Sequence, residues 1–324
     1  MRQYGRCSPL NTSVKAQNVS KSLQLAILLE VSAEKPGNIN LASSFEGTTC
    51  QHFLASAIAT GPSLQEAAYR GTQVAEGKLD IDKVELGQLI KSCAKDVNDW
   101  QRGGNTILGT IMLFMPIAVG AGMTPTGEDL QPDFSLLRGN IDRTVKATTA
   151  WDSVHLYEAV DIANPSGLNK APELDVTDPQ SKERLLKENV SLFEVFRLAS
   201  TYDDICAEWV NNYSVTFDLA YPYLSKQLKS KPLNTAVVHT FLKILSMHPD
   251  TFIARKMGKE KALEVSAGAK AVLDLGGLET ARGKTSLRSF DRKLRSNQNK
   301  CNPGTTADLT AAALALCTLS GYRP

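Results

Sequence analysis

Two polar, glycine-containing segments each stand directly before a stretch that carries no charged side chain. Residues 302–308 (NPGTTAD) precede the apolar stretch 309–316, and residues 102–106 (RGGNT) precede 107–123. A helix that is apolar nearly all round is buried, and its first N–H groups need partners. Spare N–H groups at a helix N-terminus can hold an anion such as phosphate. The two segments therefore predict a phosphate-bearing ligand held inside a helical protein.

The side chains of these segments offer caps and ligands. Thr305 or Thr306 can cap the helix that follows. Asp308 gains about 0.3–1 kcal/mol from the dipole at a helix start, which is enough to explain it as structure. A phosphate in the same loop would repel Asp308 unless Mg²⁺ bridged the two. The substrate-binding candidates here are Gly104, Asn105, Thr106, Asn302, Gly304, Thr305 and Thr306.

A turn follows the first strongly periodic stretch, at Lys35-Pro36-Gly37-Asn38. Lys35 could meet a phosphate as a mobile point charge, while Gly37 and Asn38 bring backbone close to a ligand. An ordinary helix end with a solvated lysine is the other interpretation. On sequence alone it is the commoner arrangement, since Pro and Gly often follow helices.

A third helix start lies at Asp250-Thr251, with Arg255 four residues after Thr251. Asp250 or Thr251 is a natural N-cap, and Arg255 could grip phosphate oxygens with both arms of its guanidinium. An Asp–Arg pair within the helix explains the same residues, and the two interpretations are balanced.

Asp204, Glu208 and Asn212 share one helix face at a spacing of four residues. A solvated face is the favoured interpretation, and a magnesium site is the alternative. The four histidines have no metal-ligand spacing, and no Walker loop or dinucleotide fingerprint is present.

Composition excludes several classes of protein. The net charge is +2 and aromatic residues are 6%, which argues against a nucleic-acid partner. None of the six cysteines forms a C-x-x-C pair, so we expect reduced core residues of a cytoplasmic protein. Residues 107–123 approach membrane-spanning length, but Pro116 interrupts them, so we predict a buried core helix, kinked or divided there, and no membrane partner.

Helical periodicity dominates the chain, and no convincing run of alternating strand residues occurs. We therefore predict an all-α fold, a single large multi-helix domain over residues 19–324 with buried apolar central helices. Residues 1–18 are polar and are expected to form a flexible N-terminal tail. The oligomeric state stays open, with a homo-oligomer as one option.

Four segments, in order along the chain, resemble the triphosphoribosyl-dephospho-CoA synthases (ATP:dephospho-CoA triphosphoribosyltransferases). They are Glu30 with Lys35-Pro36-Gly37, Gly104-Asn105-Thr106 with Gly109, Asp250-Thr251 with Ala254-Arg255, and Asn302-Pro303-Gly304 with Ala307-Asp308-Leu309. That family is all-helical. The resemblance implies that ATP, or a related phosphorylated nucleotide, donates a triphosphoribosyl group to dephospho-CoA or another cofactor precursor, with release of adenine.

The implied reaction assigns roles to residues. Lys35, Arg255, the two loop–helix starts and Mg²⁺ suit the triphosphate. Glu30, Glu46 and Asp308 are the catalytic candidates, as base or as stabilisers of a cationic sugar, and Asp308 and Glu46 are the candidate metal ligands.

The chain departs from the family pattern at two places. Ile107 and Leu108 stand where the family usually has histidine and lysine, and Asn40 replaces an aspartate. The first departure removes charge at a place where phosphate or the leaving base would be handled. A non-catalytic nucleotide- or CoA-binding module is therefore the alternative function.

Overall fold

A computed structural model describes residues 9–324 except 128, 130, 169, 170, 172 and 297. Within these residues the fold is all-α, as predicted, and contains isolated β-bridges but no strand. The helices are α1 Pro9–Ser32, α2 Cys50–Ala59, α3 Gly61–Ala75, α4 Leu86–Trp100, α5 Leu108–Met123, α6 Phe134–Lys146, α7 Ala150–Ala163, α8 Ser181–Lys187, α9 Leu192–Ala199, α10 Asp204–Val210, α11 Tyr221–Leu228, α12 Leu233–Met247, α13 Thr251–Met257, α14 Lys259–Asp274, α15 Ala281–Arg295 and α16 Gly304–Leu319. Short 3-10 helices lie at Ile81–Lys83 and Gly277–Glu279, and a π-helix lies at Val215–Ala220.

The centre of the core is formed by α5 and α16. Every residue of α5 except Gly109 and Met112 is buried, and α16 is buried continuously from Leu309 to Leu319. These helices contain the two apolar stretches that were predicted from the sequence to be buried. The helices contact each other, and α1 and α3 pack around them.

Pro116 lies inside α5 without dividing the helix. Because proline has no N–H, the carbonyl of Met112 loses its usual partner four residues later. The indole N–H of Trp209 donates to that carbonyl at 3.0 Å, and the Tyr213 hydroxyl donates to the Leu113 carbonyl at 3.0 Å. Two buried aromatic side chains therefore replace the helix bonds disturbed by the proline.

The boundary expected between the N-terminal tail and the helical domain is wrong for residues 9–18. Residues 9–18 belong to α1, and Ala16 packs into the core at 1% exposure. Their apolar positions are too sparse to reveal a helix before its partners are known. Residues 1–8 lie outside the described residues.

Glu208 is not on a solvated face, which corrects the favoured interpretation of its sequence pattern. It is 1% exposed and accepts hydrogen bonds from the N–H groups of Val215 and Thr216 and from the Thr216 hydroxyl. Burial raises its pKa to about 7. The carboxylate stabilises the start of the π-helix. The buried N–H groups of Val215 and Thr216 need an acceptor, and this requirement outweighs the preference of glutamate for water.

None of the described helices has the combination of length and apolar character that crossing a membrane would require.

Candidate active site

Asp250 closes the N-terminal end of α16. Its Oδ2 accepts hydrogen bonds from the Thr306 backbone N–H at 2.8 Å and from the Thr306 hydroxyl at 2.7 Å. Its Oδ1 accepts from the Ile253 N–H at 3.0 Å, so the same carboxylate also caps α13. Asp250 is 1% exposed, and burial raises its pKa. One side chain therefore holds two of the sequence segments together.

Asp308 joins α16 to the N-terminal end of α5. Its Oδ1 accepts from the Thr110 hydroxyl at 2.5 Å, and the side chain keeps a partly exposed edge. Gly109 is needed beside it because a Cβ there would lie 2.2 Å from Oδ2. Burial, opposed by the Thr110 hydrogen bond and supported by the charges of Glu30 and Asp250, raises the pKa of Asp308 to about 7.

The loop before α5 is open to solvent. Gly104 and Asn105 are exposed, Gly104 has φ +74°, and a Cβ there would meet no atom within 4 Å. Asn105 Oδ1 accepts from the Leu108 N–H at 3.1 Å, and the Thr106 hydroxyl lies 2.7 Å from that of Ser56 on α2. The loop therefore presents polar groups at the surface directly above the start of the core helix.

These contacts concern one expectation from the sequence, that N–H groups at the two helix starts bind a phosphate. At each start one N–H group is bonded within the protein, since Thr306 donates to Asp250 and Leu108 donates to Asn105. A buried helix end needs an acceptor whether or not a ligand is bound, and here the chain supplies one. Anion binding by the other N–H groups stays a prediction.

Lys35 is buried, with its side chain 0% exposed. Its ammonium lies 3.1 Å from Glu30 Oε1 and donates to the carbonyls of Glu30 and of Ala33, the latter at 3.2 Å. Glu30 is 6% exposed. Burial lowers the pKa of Lys35 and raises that of Glu30, while the partner's charge opposes both shifts. The expected solvated or phosphate-binding lysine is instead half of a buried ion pair.

The turn after Lys35 is held by α15 and by the loop before α16. The Gly37 N–H donates to Asp291 at 2.7 Å, and Gly37 has φ +69°. The amide of Asn38 donates to the Pro303 carbonyl at 3.4 Å. Arg295 donates to the Asn38 carbonyl at 2.5 Å. The segment that begins at Glu30 is thereby tied to the segment that contains Asp308.

Arg255 pairs with Asp203, the N-cap of α10. Its guanidinium also lies 5.5 Å from the centroid of the Phe252 ring. Arg255 therefore meets an aspartate of another element. Binding of a phosphate by its guanidinium stays a prediction. Thr251 accepts from the Asp204 N–H at 3.2 Å and donates to the Thr305 hydroxyl at 3.2 Å, which connects α10, α13 and α16.

Asn302 and Gly304 form the turn that leads into α16. The Gly304 N–H donates to the Asn302 carbonyl at 3.0 Å. A Cβ on Gly304 would lie 3.0 Å from the Phe252 ring, so a small residue lets the turn pack against α13.

Glu46 lies at an exposed turn between Phe45 and Thr48, whose backbones exchange hydrogen bonds. The Thr48 hydroxyl donates to the Gly103 carbonyl at 2.7 Å, so this turn touches the loop before α5. Glu46 and the partly buried Asp308 thus occupy different environments. In the described part of the chain, no group of three or more His, Cys, Asp or Glu side chains is arranged to hold a metal ion.

Sequence reasoning did not predict the contacts of Thr110 and Asp203 or the raised pKa of Asp204. Burial, and then the charges of Asp203 and Asp250, raise the pKa of Asp204 to about 7. Asp203 carried a usable signal, because an aspartate before a periodic stretch is a good N-cap. Thr110 carried only its hydroxyl within an otherwise apolar helix.

A groove of about 720 Å³ lies between α1 and α3 and contains none of the candidate residues. A much smaller recess of about 10 Å³ is lined by Gly104 and Asn105. The four segments meet around the N-terminal ends of α5 and α16, where Gly104 and Asn105 are exposed while Glu30, Lys35 and Asp250 are buried.

Residues 16–324 match the family model for CitG, the ATP:dephospho-CoA triphosphoribosyl transferases. The chain belongs to this family.

Named relatives of the triphosphoribosyl transferase family include proteins of Stutzerimonas stutzeri and Pseudomonas paraeruginosa, each named "probable 2-(5''-triphosphoribosyl)-3'-dephosphocoenzyme-A synthase". Each is 36% identical over 81 residues, which is 25% of this chain and 27% of the relative. The match thus spans about a quarter of the length of these relatives. A crystal structure from Archaeoglobus fulgidus, provisionally described as a triphosphoribosyl-dephospho-CoA synthase, has a TM-score of 0.62 at 23% identity. It covers 84% of this chain and 99% of its own, and it supports the fold.

Proposed function

We propose that the chain transfers a triphosphoribosyl group from ATP to dephospho-CoA. The 2′-hydroxyl of dephospho-CoA attacks the anomeric carbon of the ribose of ATP. A bond forms between that oxygen and the anomeric carbon, and the bond from this carbon to adenine breaks. The hydroxyl proton passes to a carboxylate, and adenine leaves with the electron pair and takes up a proton. The triphosphate stays on the transferred sugar.

One observation carries this proposal: four segments that are distant in sequence meet around the N-terminal ends of α5 and α16. Asp308 bonds to Thr110 of α5, Asp250 bonds to Thr306 of α16, and Asn38 bonds to the Pro303 carbonyl. These are the segments on which the resemblance to the family rests. A shared substrate explains why such remote parts of the chain carry polar groups to the same place.

Asp308 is our candidate for the general base. A base works best when its pKa lies near the working pH, and the pKa of Asp308 is raised to about 7. The Thr110 hydroxyl fixes one carboxylate oxygen, and the partly exposed edge of Asp308 leaves room for a substrate hydroxyl.

Arg255 and the open loop at Gly104 to Thr106 are our candidates for the triphosphate. Arg255 is partly exposed, and a phosphate oxygen would compete with Asp203 for the guanidinium. Mg²⁺ enters this proposal as part of the ATP substrate. Magnesium is often bound through one or two carboxylates together with substrate phosphates. Asp308 and the exposed Glu46 do not form a complete metal site by themselves.

The test is to incubate the purified chain with ATP, Mg²⁺ and dephospho-CoA and to measure free adenine and the mass of the product. We expect sustained adenine release and a dephospho-CoA adduct, and we expect Asp308→Asn to lower the rate by about 100-fold or more. Asp133→Asn is the matched control, because Asp133 caps α6 by side-chain hydrogen bonds at an exposed helix end.

Binding of ATP without any release of adenine would contradict the proposal and favour a non-catalytic binding module. The departure that motivated this alternative, Ile107-Leu108, is buried at 3% and 6% exposure. These side chains pack into the core, and Leu108 also lines the small recess beside Gly104 and Asn105. We propose a cytoplasmic location, supported by five cysteines that are buried and free: Cys50, Cys93, Cys206, Cys301 and Cys317.

A further inference from the structure

Lys35 has an environment that does not suit a phosphate ligand. An ammonium group has three N–H donors. Around Lys35 there are three acceptors, namely the Glu30 carbonyl, the Ala33 carbonyl at 3.2 Å and the Glu30 carboxylate at 3.1 Å. The side chain is 0% exposed. The ammonium therefore has two hydrogen bonds and one ion pair inside the protein, and it has no exposed face toward a triphosphate at the surface.

The backbone around Lys35 is also held in place. Residues 35–40 are all buried. The Gly37 N–H is bonded to Asp291, and a Cβ on Gly37 would lie 2.6 Å from the Leu294 side chain. Moving Lys35 outward would require this turn to leave α15, so the buried position is built into the fold.

The two carbonyls that Lys35 meets lie at the C-terminal end of α1, and they also accept hydrogen bonds from the backbone N–H groups of Ala33 at 3.3 Å and of Lys35 itself at 2.8 Å. The ammonium adds a second donor to each carbonyl and interacts favourably with the C-terminal end of the helix dipole. The same ammonium contacts the carboxylate of Glu30 on the last turn. The helix end and the catalytic candidate are therefore fixed by one side chain.

We propose that Lys35 is a positioning residue, which binds the C-terminal end of α1 and holds the Glu30 carboxylate in place without contacting the triphosphate. This inference rests on the proposed function for its catalytic part. The turn after Lys35 is tied to the segment of Asp308, because the Asn38 amide donates to the Pro303 carbonyl at 3.4 Å. The charge of Glu30 also contributes to the raised pKa of Asp308. A change at Lys35 should thus act on the chemical step through Glu30.

The experiment compares Lys35→Met, Glu30→Gln and the double variant, with Lys15→Met as control. Lys15 closes the C-terminal end of α5 in a similar way, by donating to the Gly122 and Thr124 carbonyls at 2.6 and 2.5 Å. The measurements are the Kd for MgATP by calorimetry and kcat for adenine release, both corrected for the folded fraction by circular dichroism.

We expect Lys35→Met to keep the Kd within about twofold of the wild type and to lower kcat by about 100-fold. The double variant should be no slower than Glu30→Gln, because the two residues act as one unit. If Lys35→Met fails to fold, the double variant should still fold, because it leaves no unpaired buried charge.

A rise in Kd of about tenfold or more in Lys35→Met and in the double variant, with Glu30→Gln unchanged, would make Lys35 a phosphate ligand and overturn the inference. Equal kcat values for the Lys35→Met and Lys15→Met proteins would overturn it too, by leaving only a structural role. If the wild type releases no adenine, the proposed function fails by itself. The Kd of the double variant then still decides whether Lys35 contacts the nucleotide.

Discussion

The N-terminal ends of α5 and α16 look alike in sequence and differ in the structure. At α16 the turn is largely buried, with Thr305 and Thr306 at 3% and 1% exposure, and the cap is Asp250 from a different segment. At α5 the preceding loop is exposed at Gly104 and Asn105, and the cap is Asn105 of the same loop.

This difference shows how one local design serves two purposes. A helix end that is sealed inside the core must be closed by the protein, and a carboxylate does so at low cost because it also favours the helix dipole. A helix end that reaches the surface needs only a local cap and can offer its loop to a ligand. Asp308 belongs to α16 but contacts Thr110 of α5. Its burial is intermediate between that of the sealed helix end and that of the exposed loop.

The largest effect is expected from removing the cap of the sealed end. Asp250→Ala leaves the N–H groups of Thr306 and Ile253 without acceptors in a buried place. We expect a loss of about 2–4 kcal/mol in the free energy of unfolding, measured by urea titration. Asp133→Ala, at the exposed start of α6, should cost about 1 kcal/mol. Equal losses in the two variants would show that burial does not distinguish the caps.

A smaller effect is expected where the two helices touch. Gly109→Ala places a Cβ 2.2 Å from Asp308 Oδ2 and must displace that carboxylate. We expect a loss of about 1–3 kcal/mol from overpacking, together with loss of adenine release. Gly139→Ala is the control, because it lies inside α6 with open space around it and should stabilise the protein by about 0.5–1 kcal/mol. Normal adenine release by Gly109→Ala would separate Asp308 from the chemistry.

The pH dependence of stability tests the intermediate position of Asp308. Its pKa is raised from the ordinary 3.8 to about 7, so the folded state binds the proton more tightly than the unfolded state. This contribution is complete below pH 3.8 and is lost as the pH rises through about 7. Relative to Asp308→Asn, the wild type should lose about 2 kcal/mol between pH 5 and 7. Parallel curves from urea titrations across this range would contradict the raised pKa.

The smallest effect concerns the interiors of the two helices. Only α5 of this pair contains a proline, and Trp209 donates to the Met112 carbonyl that Pro116 leaves without a partner. Trp209→Phe should cost about 1–2 kcal/mol by thermal or urea unfolding. Trp151→Phe, at a side chain that is 60% exposed, should change stability by less than about 0.5 kcal/mol. A neutral Trp209→Phe would mean that the helix tolerates the unpaired carbonyl.

Much of the fold was predictable because it depends on local pattern. The apolar stretches 107–123 and 309–316 predicted buried helices, and the structure places both in the core. The family was recognised from four short segments, and the match over residues 16–324 confirms it. The roles assigned to the individual site residues stay predictions.

The surroundings of single side chains were harder to predict. Glu208 was expected in water and is 1% exposed, and Lys35 was expected at a surface and is 1% exposed. Helical spacing gives the face on which a residue lies, but not what covers that face. Both side chains are buried beside backbone groups that are close in sequence, for which Glu208 supplies an acceptor and Lys35 a donor.

The amino-acid sequence by itself determined the all-helical fold, the two apolar core helices and the family, since periodicity and short motifs are read within a few turns of chain. Only the tertiary structure decided that Asp250 closes α16, that Lys35 pairs with Glu30 inside the protein, and that Asp308 meets Thr110. The contacts of Asp250 and Asp308 join segments that are 56 and 198 residues apart. Lys35 and Glu30 are close in sequence, but the turn after Lys35 is held by Asp291 of α15, so their burial is also a property of the packed chain.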